Sequence, residues 1–239
     1  MTRMGEAVRL PAIRSIACVV LLALAGCSSS KPIAKPSGPD ASRDRSNGRA
    51  ILLTRFDFPK GWKALPKDKS QGPFTRTEQQ KFDACLGTKI ASADRTEVEG
   101  TSFGNGPAQA GSSISFAATP EEAAADLVAF GNALRRSCFT KILRSVFQEG
   151  FAREAHGVRV TSLTLTRVKQ ARLGDAIAAF RLALGLTIQG HAVKVVEDLV
   201  LIRAKRAEIT VEFTNVGAPF NGPLQRQLLR RLGRRLDLA

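Results

Sequence analysis

The groups with which this sequence could do chemistry are few: four cysteines and two histidines in 239 residues, with no tyrosine. Cys27 ends an apolar run in the stretch LLALAGCSSS, where its thiol is the best nucleophile in the neighbourhood. Neither Cys85 nor Cys138 belongs to a C-x-x-C pair, and neither histidine to an H-E-x-x-H helix. His156 precedes Gly157 in a connection and His191 follows a Gln189-Gly190 turn. Both are expected at the surface, without the fixed partner that a general base needs. No G-x-S-x-G elbow or phosphate-binding G-x-x-x-x-G-K occurs. The glycines of GNGPAQAG (104–111) lead into a strand, so this segment reads as a loop and brings no helix N-terminus to a phosphate. Glu197 and Asp198 are neighbours in a strand and face opposite ways, which rules them out as an acid–base pair; one of them could be buried with a basic partner. The residues therefore predict no catalytic set, no cofactor and no metal site.

Two features suit binding instead. In NGPLQRQLLRRLGRRLDLA, Arg226, Arg230 and Arg234 recur every fourth residue, with Arg231 and Arg235 alongside. Leu224, Leu228 and Leu232, with Leu229 and Leu236, form an apolar stripe, so the segment is a basic amphipathic helix. Its arginines are either a contact for anionic lipid or wall polymer, or a solvated face suited to a helix C-terminus. Trp62 in DFPKGW is similarly either a ligand platform or an anchor in the core.

The elements that would position these groups begin with an address. Arg3, Arg9 and Arg14 precede an apolar segment from Ile16 to Ala25, and small residues follow. That order is a secretory signal, and its apolar run is shorter than the ~20 residues a spanning helix needs. Leu24-Ala25-Gly26-Cys27 resembles the bacterial lipobox. The resemblance implies removal of residues 1–26, a diacylglyceryl thioether on Cys27 and an acylated new amino terminus, hence anchoring on the outer face of the cytoplasmic membrane. Residues 27–49, rich in Ser, Pro, Lys and Arg, read as a flexible tether whose ends lie on the order of 25 Å apart. Residues 50–239 then form a single domain.

With export, Cys85 and Cys138 are the pair left to form a disulfide in an oxidising compartment. The chain carries 36 Lys+Arg against 21 Asp+Glu, a net charge of +15. Such an excess favours anionic partners, and export turns the expectation from nucleic acid to the envelope.

Within the domain, TEQQKFDACLG reads as a short helix, Glu97–Phe103 and Ser112–Ala117 as two strands separated by the loop GNGPAQAG, and Thr119-Pro120-Glu121-Glu122 as a helix start with a capping box. A further helix from Cys138 should stop at Gly150. From Val158 the period changes to two. Alternation over 175–188 and 207–214 marks half-buried strands, and 191–203, apolar on both faces, a central one. The apolar parity shifts between Val160 and Leu163, which predicts a bulge. The fold class is α+β, an antiparallel sheet of about four to six strands covered by helices.

The order DFPKGW, ACLG, TPEEAAADL, a second cysteine, GDAIAAFRLAL, DLVLIRAKRAEITVEFTNVGAPF and a terminal basic helix resembles a group of actinobacterial extracytoplasmic lipoproteins. It is similar, more distantly, to the disulfide-bonded sensor domains outside some actinobacterial serine/threonine kinases and to lipoproteins of the Mog1/PsbP-like fold. The resemblance implies a sandwich with one disulfide and supplies no catalytic residue. The functional expectation is a membrane-anchored, non-enzymatic binding or sensor-like module. The alternative is a carrier of envelope lipids, which requires an apolar cavity of several hundred Å³ between sheet and helices.

Overall fold

The computed structural model describes residues 41–66, 80–81, 84–85, 95–133, 137–154 and 157–236. The signal segment, Cys27, residues 28–40 of the tether, His156 and most of TEQQKFDACLG lie outside the described residues.

The four strands read from alternation are present and consecutive: β5 (Val158–Arg167), β6 (Ala176–Ile188), β7 (His191–Ala204) and β8 (Ala207–Val216). Two-residue links join the last three, with Ile188 opposite His191 and Ala204 opposite Ala207. Gln189 and Gly190 take φ of 50° and 84°, as a type I′ turn requires. The register of β5 on β6 shifts between Val160 and Ser162, where the bulge was expected. Gly185 sits opposite Ser162, and a Cβ there would meet the Ser162 hydroxyl at 2.3 Å, so the bulge depends on a residue without a side chain.

The sheet is nevertheless larger than four to six strands. It has eight, in the order β1-β3-β4-β8-β7-β6-β5 with β2 also on β4, all neighbours antiparallel. β2 (Thr96–Glu99) and β4 (Ala108–Phe116) fall on the two strands read around GNGPAQAG, and the additions are β1 (Lys63–Ala64) and β3 (Phe103–Asn105). β1 to β3 are short, and β4 (AQAGSSISF) is made largely of small residues, so its membership comes from pairing with β8 from Gln109 to Phe116. GNGPAQAG is not an open loop: Asn105 faces Ala108 and Gly106 (φ 59°) turns the β3–β4 hairpin.

The tether also needs correction. Residues 41–49 belong to a helix, α1 (Ala41–Ile51), and so are part of the fold rather than of a flexible tether. ASRDRSNGRAI has no long apolar stripe, and the helix is held by tertiary contacts. Asp44, Gly48 and Ile51 are buried, and the Arg206 guanidinium donates to Asp44. A Cβ on Gly48 would lie 2.9 Å from Ile114 and Val98, so the bare glycine lets α1 seat on the sheet.

The remaining helices are α2 (Pro120–Ala133), α3 (Ser137–Glu154) and α4 (Gly222–Leu236). At the start of α2, Thr119 Oγ1 accepts from the Glu122 N–H at 3.2 Å, while the Glu122 carboxylate accepts from the Ala118 N–H at 3.1 Å. The capping box is real, its return arm displaced by one residue. α3 runs through Gly150 for another turn because Phe151 is 3% exposed and stacks on Phe147. Burying that ring outweighs the ~1 kcal/mol cost of a helical glycine.

Helices cover both faces of the sheet. On one, Ile51 of α1, Leu52 just after it, and Leu228, Leu229 and Leu232 of α4 pack on Ile114, Val200, Ile202, Val211 and Phe213. On the other, Phe139, Leu143, Val146 and Phe147 of α3 pack on Phe180, Leu182, Leu184 and Leu186, with α2 over β7 and β8. The disulfide is formed as expected, Cys85 to Cys138, with Cα atoms 6.0 Å apart, and ties the start of α3 to the first helical segment. Trp62 is a core residue, 6% exposed and stacked on Phe58 at 4.8 Å.

Candidate functional site

The leucine stripe of α4 fixes its rotation: Leu228 and Leu232 are fully buried, which sorts the five arginines into two groups. Arg231 and Arg235 turn toward a 3-10 turn at Arg55–Asp57. Arg235 donates to the Ile51 and Leu52 carbonyls at 3.2 and 2.8 Å and to the Asp57 carboxylate. Arg231 donates to the Phe56 carbonyl at 2.9 Å and lies 3.5 Å from Asp57. Asp57 itself is 2% exposed and caps the turn, accepting from the Thr54 N–H at 2.7 Å. Burial alone would raise its pKa; the hydrogen bonds from Arg235 and Thr54 and the Arg235 charge outweigh burial and hold it below its usual value. Arg231 and Arg235 are therefore structural, a correction to the expectation that all five arginines form one contact surface.

Arg226, Arg230 and Arg234 are exposed, one turn apart along α4, and α4 contains no acidic residue. The same turn that Arg231 and Arg235 clamp presents Phe56, 92% exposed, next to exposed Arg55.

The opposite face of the sheet holds a buried acidic layer. Glu197 and Glu212 occupy diagonal positions on β7 and β8, since Glu197 pairs with Thr214 and Glu212 with Leu199. Both side chains point to the α2–α3 side, as does Leu182, which faces Glu197 across β6. They are 2% and 4% exposed. Neither oxygen of Glu197, nor Oε2 of Glu212, has a hydrogen-bond partner. Burial, then the Glu212 and Asp198 charges, push the Glu197 pKa far above the carboxylate range, with Thr214 easing it only slightly. Burial, then the Glu99 charge, push Glu212 up to about 8. Gly111, opposite Glu212 on β4, leaves no side chain between β8 and β2. Glu212 is thus a carboxylic acid rather than a carboxylate near pH 7, and Glu197 is pushed the same way.

Arg95 closes this layer at its edge. Its side chain, 7% exposed, donates to Asp126 and Glu208 and reaches Glu122 at 3.2 Å, pinning α2 to the sheet. On the other face, Asp198 accepts two bonds from Arg181, at 2.6 and 2.8 Å, and one from Gln225 of α4 at 3.2 Å. Asp198 is the strand acid buried with a basic partner; Glu197 is buried without one.

His191 is exposed at the start of β7, six residues and therefore about 20 Å from Glu197. Among the described residues, no three His, Cys, Asp or Glu side chains gather closely enough to hold a metal ion. Clefts among the described residues open at the surface in two places near charged side chains. One, about 290 Å³, lies between α1 and the β7–β8 turn and is lined by Arg43, Asp44, Lys205, Arg206 and Phe116 among others. The other, about 470 Å³, lies between α3 and β5 and is lined by Lys141, Arg144, Gln148 and Glu149 among others.

Two residues that matter here escaped sequence reasoning, Asp57 and Glu212. Asp57 carried a signal, because Thr54-Arg55-Phe56-Asp57 is a capping-box pattern that the aromatic residues obscured. Glu212 carried none, since it alternates with Val211 and Phe213 as an outward residue would.

The chain is thus an antiparallel, disulfide-bonded α+β domain with one cationic helix face. No protein-family model matches it, and no curated protein matches it by sequence. Among solved structures it is similar to the extracellular domain of PknH from Mycobacterium tuberculosis, at 11% identity and a TM-score of 0.46, covering 82% of this chain and 97% of that one. It is also similar to LpqN, involved in cell envelope biogenesis in the same organism, at 13% identity and a TM-score of 0.23, covering 76% and 78%.

Proposed function

We propose that this protein is a lipid-tethered, non-enzymatic binding module, sensor-like in build, at the outer face of the cytoplasmic membrane. It engages an anionic envelope component through α4. The observation that carries this reading is the division of labour among the arginines. Two are consumed by Asp57 and backbone carbonyls, whereas Arg226, Arg230 and Arg234 stay on one exposed face with no acidic residue on the helix to neutralise them. Three aligned cations on a rigid helix attract phosphate-rich or carboxylate-rich surfaces.

The lipobox-like Leu24–Cys27 and the Cys85–Cys138 bridge support export and tethering. With α1 starting at Ala41, residues 28–40 can reach at most ~45 Å from an acylated Cys27. Glu197 and Glu212 face no open cleft, so a substrate would reach them only if α2 moved. The carrier alternative needs an apolar chamber; the helix–sheet layers are filled by interlocked side chains, and both clefts described above have charged rims.

The test is capture from native envelope. Full-length protein and its R226Q/R230Q/R234Q variant are cross-linked in cells and the bound components identified. The expected result is an anionic component retained by the wild type and lost from the variant; the same set on both would refute the reading. Mass spectrometry of the purified mature chain should show Cys27 diacylated, and an intact, unmodified N-terminus would remove the tether.

A further inference from the structure

We infer that the anionic partner of α4 is the bilayer itself, with Phe56 inserted among the lipids and Arg226, Arg230 and Arg234 on their phosphates. The inference rests on the proposed role of α4 and goes further by naming the partner and the contact. Three observations carry it.

Phe56 is 92% exposed, and the turn that bears it is rigid: Asp57 caps it, and Arg231 holds the Phe56 carbonyl itself. A side chain that the backbone could readily turn inward is instead fixed outward. An isolated exposed phenyl ring gains nothing from water, but at a bilayer interface it buries its surface among acyl chains.

The ring and the cations are joined through one helix. The arginine that holds Phe56 lies on α4, adjacent in sequence to Arg230, and Arg55 stands exposed beside the ring. An apolar tip flanked by guanidinium groups matches the order of a membrane interface, acyl chain beneath phosphate.

The chain outside the described residues ends on the same layer. α1 and α4 share the face of the sheet opposite α2 and α3, and the N-terminal half of α1 meets the C-terminal end of α4 across the cleft that contains Arg43, Asn47 and Leu236. A tether leading from Ala41 toward the membrane draws this layer down. The α2–α3 layer with the buried acids then faces away from the lipid.

The experiment uses the whole mature chain from residue 27 with Cys27→Ser, so that no acyl group contributes. Vesicles of phosphatidylcholine, alone or with about 30 mol% phosphatidylglycerol, provide the surface. Binding should require phosphatidylglycerol and weaken with salt. At about five-fold per cation near an anionic surface, R226Q/R230Q/R234Q should lose roughly 100-fold in affinity. F56S should lose about ten-fold with its salt dependence unchanged. In F56W, brominated lipid should quench the new indole, whereas the buried Trp62 of the parent stays unquenched. Thermal unfolding of each variant should match the parent.

Equal binding to pure phosphatidylcholine, or an F56W indole that brominated lipid does not quench, would overturn the inference. Binding to soluble anionic wall polymer without vesicle binding would overturn it too, yet leave the anionic-partner role of α4 standing. A triple variant indistinguishable from the parent both on vesicles and in envelope capture would sink both.

Discussion

Glu212→Gln should reverse the response of this protein to alkali. In the fold the Glu212 carboxyl titrates at about 8, against an ordinary value of 4.5. Between those values the native state holds a proton that the unfolded chain has released, so stability must fall as pH rises. The contribution is fully present below pH 4.5 and is lost as pH climbs through about 8. The slope is ~1.4 kcal/mol per pH unit for one such group, and over the whole window the loss is on the order of 4–5 kcal/mol. Glu197, also raised, adds a slope of the same sign. General charge repulsion cannot imitate this, because the net charge of +15 only shrinks as pH rises, which would stabilise the fold. The assay is urea unfolding followed by fluorescence of Trp62, the sole tryptophan, with the disulfide intact, at half-unit steps from pH 4.5 to 8. E212Q should match the wild type near pH 5 and exceed it by several kcal/mol near pH 8, and E197Q/E212Q should keep only the slope of Glu97 and Glu208, whose carboxyls burial also raises. A wild-type curve that rises or stays level over this interval, or an E212Q slope equal to it, refutes the buried acidic layer.

Other outcomes follow from the same geometry. Replacing Cys85 and Cys138 by serine opens a loop with a sequence separation of 53 and should cost ~4 kcal/mol, read as a lower urea midpoint. D57N leaves Arg231 and Arg235 without their counter-charge and should cost about 2–4 kcal/mol; hydrogen exchange should show α1 and the 3-10 turn opening first. Its stabilising role has the opposite pH sense to that of Glu212, present above pH 3.8 and lost below it as the folded-state carboxylate takes a proton, so the wild type should be most stable in mild acid. G48L, with its Cβ 2.9 Å from Ile114 and Val98, should unseat α1 and lower stability by about 1–3 kcal/mol, although leucine is the better helix former.

What the sequence made legible was what period and local chemistry determine. Strands β5, β6 and β8 announced themselves by alternation, β7 by apolar residues on both faces, the Val160 bulge by a break in parity, α2 by Thr119 and Glu122, and the disulfide by elimination. What stayed hidden was determined by partners distant in the chain. β4 begins at Ala108 rather than Ser112 because β8 pairs with it from Gln109 onward, and α1 is a helix because Gly48 and Asp44 find Ile114 and Arg206. The same limit applied to the candidate site. Spacing placed five arginines on α4, but only Asp57, 174 residues before Arg231, separates the two that hold the fold together from the three that face outward. Glu212 looked solvated until α2 covered it.

The Arg206 clamp on α1 bears on mechanics. Its guanidinium grips Asp44, donates to the Ala117 carbonyl at 3.3 Å and rests over the Phe116 ring at 5.4 Å. Under the proposed tethering, drag on the chain before Ala41 from flow, growth or a moving partner would load this bracket before it strained a single rung of the β-ladder. Yielding would peel away a short polar helix and expose Gly48 and Ile51, while the disulfide, on the far side of the sheet, would feel none of the tension.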